Sequence, residues 1–344
     1  MKTISLVDYA LIIFMTAFIN STYGNSNRTL DIYFLDMEGG ASTLIVTPMG
    51  QSILIDTGSL YPVHRDATRI LQACSDAGLT QIDYLITTHF DYDHYGAIKE
   101  VSDNIQVLNY MDNGSVVSDR EEDVLYQQAT GGNATTLMPG DDIPLTNGIA
   151  PLSLHCVASG KVIEGFRGDI DAPVEGFEFH SPDTGENAKS ISLVLKYGRF
   201  TFFAGGDITW NVEHYLAYPN NVIGAIDLYQ ISHHGLDLSN NLVLLEALSP
   251  KVCVAPNGPT KGIGNRTFSA LNSLRSAEAI YQLHYNIDSG NPNTDSKYIA
   301  NDSRDSISGN YIKASVDLEA GQFTMSIPAK SIQFSYPILN TSGR

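Results

Sequence analysis

The sequence predicts a mixed α/β (α+β) fold in which two sheets face each other and helices cover their outer faces. The chain opens with short β-branched strands, helices and strands then alternate, and this order occurs twice. Sheets and amphipathic helices each have an apolar side, and packing in layers buries all of these sides. The 344 residues, 43% of them hydrophobic, are enough for a large core.

The first 24 residues have the features of a signal peptide. Lys2 gives a weakly basic start, residues 9–19 are apolar, and residues 22–24 offer small side chains near a cleavage point. The apolar stretch is short for a transmembrane helix, with an uncleaved anchor as the alternative, and no later run is long enough to span a bilayer. We therefore predict a secreted or periplasmic protein whose mature chain, residues 25–344, is not stably inserted in a membrane.

The first half of the mature chain is predicted from alternating and helical patterns. Strands are expected at 30–35, 42–47, 52–55, 84–87, 106–110 and 152–158, and helices at 64–77, 95–101 and 118–128. The helix at 95–101 would point its N-terminus at the preceding loop and favour anionic ligands there. Residues 130–151 are rich in Gly, Asn, Thr, Asp and Pro, and long loops of this kind often wall an active site.

The second half predicts further alternation of strands and helices. Strands are expected at 191–197, 200–204, 225–231, 251–255 and 281–285, with helices from Trp210, at 241–248 and from about Phe268. Three strands at 313–318, 322–327 and 331–334 should extend one sheet. Cys74, Cys156 and Cys253 have no metal-ligand spacing and are expected in the core.

A loop directly after the strand 84–87 has the composition of a metal site. His89, Asp91, Asp93 and His94 fall within six positions. Because alternate side chains at a strand end point to the same side, His89, Asp91 and Asp93 can converge while His94 reaches a neighbouring position. Imidazole with carboxylate suits Zn²⁺ or, with more oxygen ligands, Mn²⁺ or Fe. The alternative is a polar surface turn without a metal.

These residues resemble the HxHxDH signature of the metallo-β-lactamase superfamily, in the HxDxDH form with Asp91 in place of the second histidine. That form is similar to the hydrolase domain of the DNA-uptake protein ComEC and to bacterial phosphorylcholine esterases. The segments LDMEGG (35–40) and LIDTG (54–58) also resemble the ComEC-type branch. The resemblance implies a four-layer αββα metallo-β-lactamase sandwich, with residues 25–344 as a single domain that has a β-rich C-terminal extension.

Two later stretches resemble other motifs of the same family. Asp207 ends the segment AGGD and resembles the family aspartate that bridges two metals; the alternative is a helix N-cap before Trp210. The pair His233 and His234 resembles the family HHG motif. The resemblance implies that one histidine completes the second metal site while its neighbour faces the substrate or a residue that supports a ligand. Adjacent side chains at a strand end point different ways, and the sequence leaves open which histidine is which.

The resemblance implies a dinuclear centre. His89, Asp91 and Asp207 would hold one cation, and Asp93, His94, Asp207 and either His233 or His234 the other. Two divalent ions, Zn²⁺ first and Mn²⁺ or Fe as alternatives, would ionise a water that attacks an ester-type bond. Asp93 and His233 are the expected catalytic residues, with the histidine that does not bind metal protonating the leaving group or stabilising the oxyanion.

Other polar residues near these motifs have less certain roles. The resemblance makes Asp56 a hydrogen-bonding brace for the metal loop, with a plain turn carboxylate as the alternative. His155 is a candidate for one more ligand, although its mid-strand position also fits a structural role. His284 is flanked by aromatic residues, as core histidines often are.

Charge limits the partners. A net charge of −18 and scattered Lys and Arg residues, 20 in all, disfavour nucleic acid as a bound partner. The His-Pro pair usual in ComEC-type domains is replaced by residues 264–267, which speaks against a ComEC-like substrate. The favoured function is an exported phosphodiesterase or phosphoesterase acting on a small-molecule or ester substrate. The alternatives are a lactone or β-lactam hydrolase and a non-catalytic secreted binding protein that retains its metal site.

Overall fold

Two sheets form the centre of the protein in this computed structural model, which describes residues 29–115, 118–172, 178, 180–288, 290–302 and 308–339. The predicted signal peptide, residues 1–24, lies outside these ranges. The strands of the first half are β1 Leu30–Phe34, β2 Thr43–Val46, β3 Ser52–Ile55, β4 Gln81–Ile86, β5 Gln106–Asp112, β6 Thr135–Thr136, β7 Asp142–Ile143, β8 Leu152–Ser159 and β9 Val162–Ile163. Those of the second half are β10 Ser192–Tyr197, β11 Phe200–Ala204, β12 Leu228–Gln230, β13 Val252–Ala255, β14 Ala279–His284, β15 Ile299–Asn301, β16 Ile312–Asp317, β17 Gln322–Ile327 and β18 Ile332–Pro337.

Helices connect several of these strands. They are α1 Arg65–Asp76, α2 Tyr92–Tyr95, α3 Ile98–Asn104, α4 Glu121–Thr130, α5 Trp210–Ala217, α6 Leu242–Leu248 and α7 Asn265–Ser273. Among the described residues, none of these helices has both the length and the apolar character that crossing a bilayer would require. The three cysteines are unpaired and buried, as expected of core residues.

The strands divide between two mixed sheets, each with its parallel strands toward one end. The first has the order β18-β17-β16-β1-β2-β3-β4-β5-β6, so the three C-terminal strands extend it through an antiparallel pair of β16 with β1. The second has the order β15-β14-β13-β12-β11-β10-β8-β7, with β9 paired to β8. In the first sheet β4 is parallel to β3 and β5, and in the second β12 is parallel to β11 and β13.

Three apolar layers confirm the αββα architecture. Leu30, Ile32 and Phe34 of β1 face the second sheet and belong to the large core between the sheets. The alternate residues Tyr33 and Leu35 belong instead to the layer beneath α1, α3 and α4. A matching layer lies between the second sheet and α5, α6 and α7. The period-two alternation of the strands therefore supplies both an inner and an outer apolar surface.

The helix predicted at 95–101 differs from the structure. It is divided into α2 and α3, because the backbone N–H of Gly96 donates to the carbonyl of Gly58 (2.8 Å) instead of continuing the helix. The chain also passes so close that a Cβ on Gly96 would lie 2.2 Å from the Leu60 nitrogen. The predicted helix is therefore displaced: the single turn α2 precedes it, and α3 begins at Ile98 and ends at Asn104.

Candidate metal centre

The predicted polar residues lie at the carboxyl ends of strands from both sheets. The strand β4 leads into the loop that carries His89, β11 leads into Asp207, and β12 leads into the 3-10 turn Ser232–Gly235. Hydrogen bonds tie these ends together: the Ile191 N–H donates to the Thr88 carbonyl (2.9 Å), and the Thr43 hydroxyl to Gln230 Oε1 (2.7 Å). Carboxyl ends of parallel strands are a common place for sites, and here two sheets supply them at one edge.

Five of the predicted residues converge there, and we call them the His/Asp cluster: His89, Asp93, His94, Asp207 and His234. Two overlapping groups, one of His89, His94 and Asp207 and one of Asp93, His94 and His234, have ligand atoms within 4.8 Å of one another. His94 Nε2 lies 3.2 Å from Asp207 Oδ2 and 3.3 Å from His234 Nε2. His234 Nε2 lies 3.1 Å from Asp207 Oδ2 and 3.4 Å from Asp93 Oδ2.

The imidazole rings are oriented by partners on their Nδ1 atoms. His94 Nδ1 lies 2.8 Å from Asp56 Oδ2, and His234 Nδ1 lies 2.9 Å from the Pro256 carbonyl oxygen. Because a carboxylate and a carbonyl only accept, each Nδ1 carries a proton, so the Nε2 of each neutral ring would present a lone pair to the cluster. Metal-binding histidines are usually fixed in this way.

Asp56 is the centre of the bonding beneath the loop. One of its oxygens accepts from the Thr88 N–H (2.7 Å), and the other accepts from the Thr88 hydroxyl (2.7 Å) as well as from His94. The Thr88 hydroxyl, having donated to Asp56, accepts from His89 Nδ1 at 3.0 Å. The resemblance implied a bracing role for Asp56, and the hydrogen bonds have that arrangement.

The environment of His89 Nε2 indicates whether the residues of the cluster suit a metal ion. This atom is buried and has no hydrogen-bond partner. A buried nitrogen with an unused lone pair is costly, because burial removes its bond to water. A cation within reach of His89, His94 and Asp207 would satisfy it, so the donor set fits a metal ion.

Electrostatics at the cluster also favour a cation. Burial alone would raise the pKa of Asp207, but the nearby imidazoles of His234, His94 and His233 outweigh it and hold that pKa well below its ordinary value. Burial would lower the pKa of His94, and the carboxylates of Asp207, Asp56 and Asp93 instead raise it well above the usual value. The surroundings thus stabilise positive charge at this place, whether a proton or a metal ion carries it.

His233 and His234 have different surroundings, although both adopt a left-handed backbone (φ 54° and 55°). The Nε2 of His233 lies 3.7 Å from Asp207 Oδ2, and its Nδ1 lies 3.1 Å from the Ser239 hydroxyl. Burial lowers the pKa of His233, whereas in His234 the carboxylate of Asp207 overcomes burial and raises it. The structure therefore places His234 inside the cluster and His233 at its border.

The remaining predicted residues lie further out. Asp91 has a side chain that is 40% exposed, and its Oδ2 lies 3.7 Å from His89 Nε2. His155 pairs with Asp142 (2.9 Å) and Glu164 (2.8 Å), and it belongs to neither group of converging ligand atoms in the described chain. His284 is buried, as expected of a core residue, and its Nε2 lies 2.9 Å from Asp36.

Sequence reasoning missed one residue at the cluster. Lys261 places its Nζ 2.5 Å from Asp93 Oδ2, from a loop after β13. No spacing in the sequence relates Lys261 to the loop at 89–94. The nearest signal was the Gly- and Pro-rich character of residues 257–262, which indicated a loop without saying where it would pack.

The helix N-cap alternative for Asp207 is not observed. The residue that caps α5 is Thr209, without a side-chain cap bond, and the Asp207 carboxylate faces histidines of the cluster instead. The layered fold and the converging imidazoles and carboxylates define a metal-dependent hydrolase of the αββα type.

Comparison with known proteins agrees with this class. Residues 36–255 match the model of the metallo-beta-lactamase superfamily, and the chain belongs to that family. It is 24% identical over 241 residues to competence protein ComA of Neisseria gonorrhoeae, a match that covers 66% of this chain and 28% of that protein. The chain thus spans little more than a quarter of the length of this relative.

Solved structures with similar folds were also found. The metallo-beta-lactamase fold protein YhfI of Bacillus subtilis is 12% identical, with a TM-score of 0.44, over 74% of this chain and 96% of that one. The diiron beta-hydroxylase CmlA of Streptomyces venezuelae is 14% identical, with a TM-score of 0.40, over 72% of this chain and 52% of that one. The family assignment rests on the family match.

Proposed function

We propose that the protein is an exported dinuclear metallo-hydrolase that cleaves phosphodiesters or phosphoesters. The observation that carries the proposal is the pair of overlapping ligand groups. The two groups share His94, and within each group the ligand atoms lie within 4.8 Å of one another. Two divalent cations held by these groups would supply an activated water and a polarised substrate oxygen. The acidic loop with Asp91, which resembles the phosphoester-cleaving HxDxDH form, favours phosphorus over carbon as the centre attacked.

The proposed ligands are those expected from the sequence motifs, and the geometry favours His234 over His233. His89, Asp91 and Asp207 are proposed for one cation, and Asp93, His94, Asp207 and His234 for the other. His234 is preferred over His233 because its Nε2 lies within 3.4 Å of both Asp93 and Asp207. Zn²⁺ is the first choice, and the carboxylates leave Mn²⁺ or Fe as alternatives.

His233 is proposed as the residue that moves a proton. The Ser239 hydroxyl donates to the Ile208 carbonyl (2.7 Å), so it must accept from His233 Nδ1. His233 Nε2 therefore has a free lone pair at the border of the cluster, where it can accept a proton from the attacking water and later deliver it to the leaving oxygen. Asp93 would hold its cation in place while paired with Lys261.

The test is hydrolysis by purified chain supplied with Zn²⁺ or Mn²⁺. We expect turnover of bis(p-nitrophenyl) phosphate that a chelator abolishes and added metal restores. The control is Lys99→Met, a surface change on α3 that should leave turnover intact. Cleavage of a chromogenic lactone or cephalosporin without phosphodiester turnover would establish the alternative hydrolase, and metal binding without any turnover would establish the non-catalytic binding protein.

Export is part of the proposal and has its own test. It rests on the apolar residues 9–19 and the small residues at 22–24. Expression of the full chain in a secreting host should yield extracellular or periplasmic protein whose N-terminus lies near residue 25. Retention in the cytoplasm with residues 1–24 still attached would contradict it.

A further inference from the structure

Lys261 is held at the cluster by a loop whose shape does not depend on the lysine side chain. The Gly258 N–H donates to the Lys261 carbonyl (2.9 Å) and closes a turn, and the Ile287 N–H donates to the Pro259 carbonyl (2.8 Å). Asn257 Nδ2 donates to the His284 carbonyl (2.8 Å) at the base of the loop. Hydrogen bonds to the loop backbone therefore fix the position of the residue that carries the ammonium group.

The loop also packs against the segment before β2. A Cβ on Gly258 would lie 2.4 Å from the Glu38 carbonyl oxygen, so the two backbones are in direct contact. A Cβ on Gly39 would lie 3.3 Å from the Lys261 Cβ, which shows that the lysine stem passes over Gly39. Gly258 thus leaves no room for a Cβ, and Gly39 has a backbone φ of 108°, which favours glycine. The result is a fixed path for the lysine from the loop to Asp93.

The ammonium group of Lys261 lies between the cluster and solvent. Its Nζ is 2.5 Å from Asp93 Oδ2, yet the side chain remains 32% exposed, while the side chain of Asp93 is only 9% exposed. The same Asp93 oxygen lies 3.4 Å from His234 Nε2. A ligand that enters the cluster from solvent would therefore meet Lys261 beside Asp93.

Charge gives this position a consequence for substrates. The chain carries a net charge of −18, which repels an anion at long range. Within the site, the carboxylates of Asp91, Asp93 and Asp207 would neutralise most of the charge of two divalent cations. Lys261 adds a positive charge, and its ammonium group has no lone pair with which to bind a metal. An ammonium with three donors can bind a phosphate oxygen while still touching a carboxylate.

We propose that Lys261 is a specificity-determining residue that binds the non-reacting anionic oxygen of a phosphate ester and so selects charged esters over neutral ones. This inference rests on the proposed phosphoesterase function for its substrate class. It differs from the ligand assignment, since Lys261 would contact substrate and not metal.

The first test measures binding without turnover. Calorimetry with inorganic phosphate is done on the metal-loaded wild type, Lys261→Met, Lys261→Arg and Lys99→Met. Loss of a charge-assisted hydrogen bond should weaken phosphate binding by roughly ten- to a hundredfold in Lys261→Met. Lys261→Arg should keep most of the affinity, and Lys99→Met, which removes a lysine paired with Asp103 at the surface, should keep all of it.

The second test compares two substrates that differ by one methyl group, which removes the negative charge. They are bis(p-nitrophenyl) phosphate and its neutral methyl triester, which share a leaving group. Lys261→Met should lower kcat/KM for the diester by roughly ten- to a hundredfold and leave the triester value within about twofold of wild type. Thermal melting of each variant checks that the fold is retained.

The outcomes separate this inference from the proposed function. Equal phosphate affinity in the wild type and Lys261→Met, or an equal loss for both esters, would overturn the role of Lys261. A rise in metal affinity with unchanged phosphate binding would show that Lys261 only fills space beside Asp93, and would also overturn it. Phosphate binding that depends on Lys261, in a protein that cleaves neither ester, would sustain the inference and refute the phosphoesterase proposal.

Discussion

In the N-terminal half, His89, Asp93 and His94 come from one loop after β4, whereas in the C-terminal half Asp207 and His234 come from the ends of two strands, β11 and β12. The first group lies on and beside the short helix α2, with its side chains close together in sequence. The second group depends on a 3-10 turn with left-handed residues at His233 and His234. One half supplies its residues locally, and the other supplies them through the tertiary fold.

A buried carboxyl supports each half, but in different ways. Asp56 contacts the site directly, since it accepts from His94 and Thr88. Glu213 acts at a distance, because its oxygens accept from the backbone N–H groups of Asn240 (2.7 Å) and Asn241 (2.8 Å), next to Ser239. The comparison teaches that a change at Asp56 should disturb metal binding, while a change at Glu213 should first disturb stability.

Removal of Asp207 should have the largest effect, because its carboxylate faces ligands of both halves. Asp207→Ala leaves His94 and His234 without the oxygen that lies 3.2 and 3.1 Å from them. We expect activity to fall roughly a thousandfold or more, as for residues that act as a unit. Metal content measured by mass spectrometry should fall as well. Asp237→Asn, which alters an aspartate bonded to the Thr267 N–H of α7, is the control and should keep its metal.

The two adjacent histidines should separate metal binding from proton transfer. His234→Ala should lose metal, because His234 Nε2 lies among Asp93, Asp207 and His94. His233→Ala should keep its metal and lose roughly a hundred- to ten-thousandfold in kcat, the usual contribution of a general base. Metal stoichiometry and turnover are measured on both variants, and each serves as the control for the other. The reverse pattern would exchange their roles.

This difference between the halves also limits what the sequence could predict. Period-two alternation fixed both apolar faces of β1, and the strands β3, β11 and β17 begin and end as expected. The choice between His233 and His234 could not be made, because period-two geometry does not hold where both residues are left-handed. Lys261 was missed because its position depends on a contact between Gly258 and Glu38, which no local pattern encodes.

Asp56→Asn should weaken metal binding by the ligands of the N-terminal half without abolishing it. An amide cannot accept from the Thr88 N–H, the Thr88 hydroxyl and His94 together, so the His94 ring loses its fixed orientation. We expect metal affinity to fall roughly ten- to a hundredfold, as for other partners of metal-binding histidines. Competition with a chromophoric chelator measures the affinity. Asp103→Asn, at an exposed ion pair of α3, should leave it unchanged, and an equal affinity in Asp56→Asn would show that the half does not rely on this carboxyl.

Glu213→Gln should change stability more than activity, and its effect should depend on pH. Burial raises the pKa of Glu213 to about 8, although two backbone N–H groups lower it in part. A raised pKa means that the stabilising contribution is complete below the unfolded pKa of about 4.5 and is lost as pH rises toward about 8. A single such group changes the free energy of unfolding by about 1.4 kcal/mol per pH unit within that range.

Glutamine cannot ionise, so Glu213→Gln should lack this part of the pH dependence and unfold with a flatter profile between pH 5 and 8. Urea unfolding at intervals of one pH unit measures it. Replacing the exposed Glu246 of α6 by Gln provides the matched control and should retain the wild-type slope. If Glu213→Gln instead retained that slope and lost its metal, Glu213 would act on the site as directly as Asp56 does, and the contrast between the two halves would fail.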